Sequence, residues 1–163
     1  MIDNLATIFS GMAGDDLGWG AIIAFLGGFV IAQLWKFLVW IFTAKKAEKR
    51  NFKVILSYLT RSGGMPSGHT AGMAGATAFL GCYYGFGSGV FALAVAVTLI
   101  MAYDAMHVRY AVGEQGKALN KLLKQAKEPE LKVVEGHTVL QVAVGMILGA
   151  IIGIGVFWLL VKG

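Results

Sequence analysis

The sequence predicts an all-α fold, a polytopic membrane helix bundle with about four transmembrane helices and short interfacial helices. Of its 163 residues, 57% are hydrophobic and only 14% are charged, whereas about 25% of residues are charged in a soluble domain. Apolar runs long enough to cross a bilayer alternate with basic segments. The length fits one domain, so residues 1–163 are treated as a single membrane-embedded unit.

The first element is the segment 1–17, which is short and mildly amphipathic and is expected to lie on the membrane surface. Residues 18–43 form an apolar run that, at about 1.5 Å per residue, is long enough for the first span. Lys36 lies inside this span, three residues after Gln33. Residues 44–62 are rich in lysine and arginine, and "FKVILSYLT" within them predicts a short interfacial helix.

The next two apolar runs are predicted to form a hairpin. Residues 66–86 are the second span and residues 90–104 the third, and "GFGSG" at 85–89 is a signal for a tight turn between them. The third run is expected to continue as a helix past Asp104.

The C-terminal part begins with a polar segment. Residues 113–135 contain "LNKLLKQAK", which is typical of an amphipathic surface helix. Residues 137–161 form the last apolar run and predict the fourth span. Gly145, Gly149 and Gly153 recur in it at every fourth position, a spacing that indicates close packing against another helix.

The charges assign sides to the loops, because lysine and arginine beside apolar spans mark cytoplasmic loops. If residues 44–62 are cytoplasmic, the hairpin goes out and returns, and residues 105–136 are cytoplasmic as well. Both termini then fall outside, where Asp15 and Asp16 fit. The chain is expected to be an integral, multi-pass membrane protein with its basic loops and polar motifs at the cytoplasmic face.

The remaining composition argues against several other classes of protein. The net charge is +5, but the basic residues lie beside apolar runs, so the expected partner is a membrane and not nucleic acid. Cys82 is alone in an apolar run, which argues against a disulfide framework or a cysteine metal cluster. The first residues lack the basic start and apolar core of a cleavable signal peptide. The oligomeric state stays open, and a homo-oligomer is compatible with the sequence.

The segment "GGMPSGHT" at 63–70 combines a helix start with the features of an anion site. Pro66 suits a first helical turn, where its missing N–H is of no consequence, and Ser67 can cap the helix. The unpaired N–H groups and the dipole of a helix start favour an anion such as phosphate. His69 would lie beside that anion and could donate a proton to a leaving oxygen. The alternative is an ordinary capped helix with an interfacial histidine.

A second Gly-His pair opens the last span in "GHTVLQV", residues 136–142. His137 and Gln141 are four residues apart, so they share one face of a helix. A histidine oriented by a partner one turn away is a suitable arrangement for a nucleophilic imidazole. Taken alone, the pair is better explained by a histidine at a membrane interface, where histidines are tolerated.

Charged residues also lie at the end of the third span, in "YDAMHVR", residues 103–109. Ionisable residues at membrane depth are costly and usually functional. The planar fork of Arg109 matches phosphate oxygens. A structural ion pair is the alternative for Asp104 and Arg109, and His107 fits an interfacial side chain as well as a ligand.

Two further possibilities involve single side chains. Lys36 either extends to the membrane surface or faces the bundle and holds an anion. His69, His107 and His137 together suggest a three-histidine zinc site, a weaker idea because no local metal-ligand spacing supports it.

Five blocks of sequence, in order, carry a resemblance to a known family. They are "AQLWK" (32–36), "GGMPSGH" (63–69), "YDAMHVR" (103–109), "GEQGKALNKL" (113–122) and "GHTVLQV" with the glycines that follow it (136–149). Together they resemble the type 2 phosphatidic acid phosphatase superfamily, whose relatives include vanadium haloperoxidases. The chain is most similar to its divergent PAP2 branch of small bacterial and plastid membrane proteins.

The resemblance implies a metal-independent phosphatase that needs no cofactor. His137 would be the nucleophile that attacks phosphorus and forms a phosphohistidine, and His69 the acid that protonates the leaving group. The phosphate oxygens would be bound by cations and by the backbone of a helix start, at Lys36, Arg61, Arg109, Ser67 and Gly68. These charges would balance a phosphate monoester, which carries close to two negative charges near pH 7.

The position four residues after His137 departs from the family pattern. The wider superfamily has Asp there and the divergent branch usually Glu, whereas this chain has Gln141. Glutamine can accept a hydrogen bond from His137 and orient its ring, but it cannot neutralise an imidazolium. Asp104 and Glu135 are then the candidates for the missing carboxylate.

Three functions follow as hypotheses. The first is a lipid phosphate phosphatase at the cytoplasmic face, acting on a phosphatidylglycerophosphate, phosphatidate or polyprenyl pyrophosphate class of substrate. The second, which Gln141 favours, is a non-catalytic lipid-phosphate binding or transport protein that retains the phosphate site. The third is a small structural or assembly protein of the membrane. The first requires His69 and His137 to lie close together, with Arg109 beside them.

Overall fold

The computed structural model describes residues 18–43, 64–133 and 136–162. These residues form five α-helices and two π-helical turns: α1 (Gly18–Thr43), α2 (Gly68–Tyr84), α3 (Gly89–Tyr103), a π-turn (Asp104–Val108), α4 (Arg109–Gln125), α5 (Val139–Phe157) and a second π-turn (Trp158–Lys162). No strand occurs in these three ranges. The predicted all-α class is confirmed.

Three helical stretches in the described parts of the chain are long and apolar enough to cross a membrane: Gly18–Thr43, Gly89–Gln125 and Val139–Lys162. The second predicted span, residues 66–86, corresponds to α2, which has 17 residues and is less apolar than these three stretches. More than half of α2 is buried, including glycines, alanines and threonines. It lies between helices rather than facing lipid, so it needs less apolar surface.

The bundle is arranged around α2, which packs against α1, α3 and α5. A Cβ on Gly28 of α1 would meet Ala71, whereas Gly75 of α2 faces Ala24, so α1 and α2 are antiparallel. On the other side, Gly145 faces Ser67 and a Cβ on Gly153 would meet Gly75, so α2 and α5 are parallel.

Small residues let the backbones approach closely at both interfaces of α2. The stripe predicted on α5 is confirmed, since a Cβ on Gly145 would lie 2.7 Å from the Ser67 carbonyl oxygen. A second stripe on α1 presents small buried residues at every fourth position: Gly20, Ala24, Gly28 and Ala32. Such stripes are typical of helices that associate within a bilayer.

The outside of the bundle carries the large apolar side chains. Leu26, Val30, Leu93, Ile147 and Ile151 are among many that are exposed. Among the described residues, Phe79 is the largest side chain that is fully buried. This arrangement reverses that of a soluble domain and agrees with a bundle surrounded by lipid.

The third span continues without a break into α4, as predicted. The continuous helix Gly89–Gln125 has 37 residues. It ends after Gln125, where Lys127 has a φ of 62°, and the chain then runs back along α4. The side-chain amide of Asn120 holds this segment, because it donates to the Leu131 carbonyl at 2.9 Å and accepts from the Leu131 N–H at 2.8 Å.

The helix directions bring four helix ends to one face of the bundle, defined here as the basic face. They are the C-terminal ends of α1 and α3 and the N-terminal ends of α2 and α5. The two segments that begin or end there, 44–63 and 104–138, hold every lysine and arginine of the chain except Lys36 and Lys162. The surface segment predicted at 1–17 and the interfacial helix predicted within 44–62 lie outside the described residues.

Candidate functional site

A small cleft opens at the basic face, where the helix ends meet. It is lined by Ser67, His69, Met101, Asp104, Ala105, Arg109 and His137. Both histidines of the two Gly-His motifs and the predicted arginine therefore line one cleft. They come from three separate parts of the chain: the start of α2, the start of α4 directly after the π-turn, and the residues just before α5.

His137 is held in the wall of the cleft by its backbone. Its N–H donates to the Ala105 carbonyl oxygen at 3.0 Å. Gly136 makes this approach possible, because a Cβ there would lie 2.8 Å from the Arg109 carbonyl carbon and would meet the Tyr110 backbone. The glycine of the Gly-His motif thus lets the chain press against the long helix.

The His137 side chain is buried, with 6% of its surface exposed. Neither ring nitrogen has a hydrogen-bond partner among the described residues. Buried polar groups are nearly always hydrogen-bonded, and the exceptions are often functional. The ring therefore presents two unsatisfied nitrogens beside the cleft.

The surroundings favour the neutral form of this ring. Burial, followed by the positive charges of Lys36, His69 and Arg109, lowers the pKa of His137 from 6.5 to about 4. Desolvation disfavours a charged imidazole, and so do nearby cations. At neutral pH the ring is uncharged and keeps a lone pair on one nitrogen.

His69 lies in the first turn of α2 and is exposed at the cleft. Its ring meets the edge of Phe29 from α1, with centroids 5.4 Å apart. The aromatic contact holds the imidazole at the helix start, next to the opening that it shares with His137.

Arg109 and Asp104 form an ion pair across the π-turn, with Arg109 Nε donating to Asp104 Oδ2 at 2.5 Å. The Arg109 backbone N–H also donates to the Asp104 carbonyl oxygen. This is the structural pairing that the sequence left as an alternative. It engages the carboxylate of Asp104 with Arg109, so the structure does not pair Asp104 with His137.

The start of α2 differs in detail from the prediction. Ser67 is the N-cap, so Pro66 lies one residue before it and not in the first turn. The Ser67 N–H donates to the Gln141 carbonyl at 3.1 Å, and its hydroxyl bonds the Thr70 hydroxyl at 2.9 Å. The Ser67 N–H thus joins α2 to α5, and its hydroxyl helps to close the first turn of α2.

At Gly68, the prediction requires a backbone N–H group that is not used within the helix. The first bond within α2 is donated by the Ala71 N–H to the Ser67 carbonyl at 3.0 Å. The N–H groups of Gly68, His69 and Thr70 precede it and have no acceptor within the helix. The helix start therefore offers backbone donors on the side of the cleft.

Gln141 has a different partner from the one expected. Its side-chain oxygen accepts from the Thr138 N–H at 3.0 Å, and its own N–H donates to the Thr138 hydroxyl at 3.4 Å. These bonds form a capping box at the start of α5. The oxygen that was expected to orient His137 caps the helix instead.

Lys36 is half-buried in the last third of α1. Its aliphatic chain passes 3.5 Å from the position of a Cβ on Gly64, whose φ of 79° favours glycine. Its charge acts on His137. Arg61 and Glu135 lie outside the described residues.

His107 points away from the cleft. It stacks on Tyr103 with ring centroids 4.2 Å apart, and its Nδ1 lies 3.3 Å from the Tyr103 carbonyl oxygen. The described residues contain no group of three potential metal ligands. The three-histidine zinc idea is therefore wrong for this arrangement, because His107 does not line the cleft that His69 and His137 share.

Sequence reasoning missed two contributors to the site. Thr138 closes the capping box, and the spacing T-x-x-Q that predicts it was present in the sequence. Ala105 supplies the carbonyl that anchors His137, and no feature of an alanine in a helix signals this role.

Comparison with known proteins gives two matches. The family model described as "Divergent PAP2 family" matches residues 19–152. The "Uncharacterized membrane protein YuiD" of Bacillus subtilis (strain 168) is 25% identical over 148 residues, which cover 80% of this chain and 89% of that protein. No solved structure matches the chain.

Proposed function

The chain belongs to the divergent PAP2 family, and on this premise we propose that it is an integral membrane lipid phosphate phosphatase. The observation that carries the proposal is the state of His137. It is buried and neutral, both of its ring nitrogens lack a partner among the described residues, and it shares a cleft with His69 and Arg109.

In the proposed reaction, His137 attacks the phosphorus of the substrate. The N–P bond forms as the bond from phosphorus to the leaving oxygen breaks, and protonated His69 gives its proton to that oxygen. Water then attacks the phosphohistidine, His69 takes up a proton from it, and the N–P bond breaks to release phosphate. A neutral His137 suits the first step, since its lone pair needs no prior deprotonation.

Cations and backbone donors would stabilise the transferring phosphoryl group. Arg109 lines the cleft, Lys36 lies within electrostatic reach, and the helix start at Gly68 adds N–H donors. We include Arg61 in the proposal on the resemblance of its segment alone. Positioned donors of this kind act on the charge that develops during phosphoryl transfer.

A lipid substrate is supported by the surroundings of the site. An apolar groove with a volume of about 410 Å³ runs between α2, α3 and α5, next to the side of the bundle that faces lipid. It passes from Phe91 and Ile154 towards Leu99 and Met146, nearer the cleft. The candidate substrates are the phosphatidylglycerophosphate, phosphatidate and polyprenyl pyrophosphate classes, with the reaction at the cytoplasmic face.

One observation favours a second function, non-catalytic binding or transport of a lipid phosphate. Gln141 is engaged in capping α5 and Asp104 in pairing Arg109. No carboxylate among the described residues forms a hydrogen bond with the His137 ring. A phosphate site without such a partner can still bind its ligand.

Phosphate release by the purified protein tests the two functions. We expect release from at least one of the three lipid classes by the wild type, and a loss of at least about 100-fold in His69→Ala and His137→Ala, the usual contribution of an acid–base or nucleophilic group. His107→Ala is the matched control, because this histidine lies outside the cleft and should keep full activity.

Equal activity in all four proteins would exclude the proposed mechanism. Binding of the lipids without release by the wild type would favour the second function.

A further inference from the structure

We propose that Asp104 is a positioning residue: it holds the guanidinium of Arg109 by one edge, so that the other edge is presented to a phosphate group. The inference rests on the phosphate site of the proposed function, but it concerns binding and does not depend on hydrolysis.

The geometry of the π-turn makes this pairing possible. Residues five apart point in different directions on a regular α-helix, where neighbours are three or four apart. Here the Arg109 N–H bonds the Asp104 carbonyl, five residues back, and the two side chains are brought together. The side-chain bond from Nε to Oδ2 therefore joins the same two residues as the backbone bond.

Among the described residues, Asp104 contacts the guanidinium at its Nε edge. Nε donates to Asp104 at 2.5 Å, and the described residues provide no partner for the two terminal nitrogens. Arg109 lines the cleft together with His69 and His137. Two parallel N–H groups on a planar fork match two oxygens of a phosphate.

Because the ion pair is exposed, we expect Asp104 to orient Arg109 more than to stabilise the fold. The Arg109 side chain is 42% exposed and that of Asp104 34% exposed. Ion pairs at such positions add little to folding, because water screens them. A long arginine side chain fixed before a ligand arrives, however, loses less freedom on binding.

Two physical effects of Asp104 on phosphate binding oppose each other. Its negative charge repels an anion in the cleft, so charge alone predicts tighter binding when it is removed. Its hydrogen bond orients Arg109, so positioning predicts weaker binding when it is removed. The sign of the change separates the two effects.

The experiment measures binding of dihexanoyl phosphatidate to the full-length protein in detergent by calorimetry. Asp104→Ala removes both charge and acceptor, and we expect binding to weaken by about fivefold, the upper range for an exposed ion pair. Asp104→Asn removes the charge but keeps an oxygen that accepts from Nε, so its binding should equal or exceed that of the wild type.

The chain offers a matched control in the pair of Glu114 and Lys117, which lies on the same long helix outside the cleft, with an N–O distance of 2.9 Å and both side chains 53% exposed. Glu114→Ala changes the net charge by the same amount and should leave binding unchanged. In an Arg109→Lys background, which lacks the fork, Asp104→Ala should have no further effect.

Binding of Asp104→Ala that is as tight as, or tighter than, that of the wild type would overturn the inference. So would an effect that persists in the Arg109→Lys background. If phosphatidate binds no variant at all, the phosphate site of the proposed function fails together with this inference, whereas binding without hydrolysis affects only the phosphatase proposal.

A measurement on the wild type covers the case in which Asp104→Ala does not fold. The chain has three arginines, Arg50, Arg61 and Arg109, so ¹⁵N-arginine spectra can be assigned with single lysine variants. On addition of phosphatidate, the terminal nitrogens of Arg109 should shift while Nε keeps its bonded signal. Loss of the Nε signal on binding would show that the ligand displaces Asp104, which contradicts positioning.

Discussion

At the scale of single residues, backbone hydrogen bonds hold the motifs of the candidate site together. The Ala105 carbonyl accepts from His137, the Gln141 carbonyl accepts from Ser67, and the Asp104 carbonyl accepts from Arg109. Each bond joins a residue of one motif to another motif or to its own turn. The side chains at the cleft are therefore positioned by main-chain bonds, which substitutions of the side chains leave in place.

The environment of His137 predicts an unusual titration. Its pKa is lowered to about 4 by burial and by neighbouring cations, whereas in the unfolded chain it is near 6.5. Between these values the unfolded state binds more protons. The stability contributed by the neutral ring is thus fully present above pH 6.5 and is lost as the pH falls towards 4.

We expect ¹⁵N spectra of the imidazole to give a midpoint for His137 near pH 4. In His137→Asn, the loss of stability between pH 6.5 and 4 should be smaller than in the wild type. A midpoint near 6.5 would show that the ring is neither desolvated nor close to the cations.

At the scale of helices, glycines on α5 allow this helix to pack closely against the backbone of α2. Gly149 has no room for a side chain, because a Cβ would meet the Ala71 carbonyl oxygen and lie 2.8 Å from its carbon. The obstacle is a helix backbone, which cannot move aside as a flexible side chain does. The same interface carries the bond from Ser67 to Gln141 that ties the two helix starts together.

Gly149→Ala is therefore expected to destabilise the protein by about 1 to 3 kcal/mol, as overpacking does. Gly155→Ala is the matched control on the same helix, since nothing lies within 4 Å of its Cβ position. It should be neutral or stabilising by up to about 1 kcal/mol, because alanine is the better helix former. Thermal unfolding in detergent compares them, and equal melting temperatures would disprove the tight contact.

The helices themselves could be predicted from the sequence, because each span is a long apolar run bounded by charge or by a turn signal. The packing stripe of Gly145, Gly149 and Gly153 could also be predicted, because glycine recurs at every fourth position. The π-turn was not, since no residue type marks the point at which one helical bond is shifted. The pairing of Asp104 with Arg109, which the sequence offered as one alternative, depends on that turn, so the spacing of five residues could not decide between the alternatives.

The sequence predicted which residues belong to the candidate site better than it predicted the hydrogen bonds between them. The Gly-His motifs placed His69 and His137 at helix starts, and the packing of parallel α2 and α5 brings the two starts to one cleft. The partner predicted for the Gln141 side chain was wrong. The four-residue spacing suggested contact with His137, but the capping box at the start of α5 uses the same oxygen. Local bonds of this kind form without any tertiary arrangement.

At the scale of the whole molecule, the basic face is distinguished by charge from the opposite one. The loop between α2 and α3, "GFGS" at 85–88, carries no charged residue, whereas the segments at the basic face hold nearly all the cations. Positive charge is retained on the cytoplasmic side of membranes. This asymmetry supports the proposed cytoplasmic location of the cleft.

Single cysteines test the orientation. In a Cys82→Ser background, which leaves no other cysteine, Gly87→Cys at the hairpin turn should react with a membrane-impermeant thiol reagent in intact cells. Lys124→Cys, on the exposed side of α4, should react only after the membrane is opened. The reverse pattern would place the cleft on the outer side.

The central position of α2 has a consequence for biogenesis. This helix is short, less apolar than its neighbours and covered by α1 and α5, yet α5 is the last of the described helices to leave the ribosome. Until it arrives, the side of α2 that carries Ser67, Ala71 and Gly75 lacks its partner helix, and the Ser67 N–H lacks the Gln141 carbonyl that later accepts from it. The cleft is therefore complete only when α5 arrives, because the residue just before this helix is His137, which shares the cleft with His69.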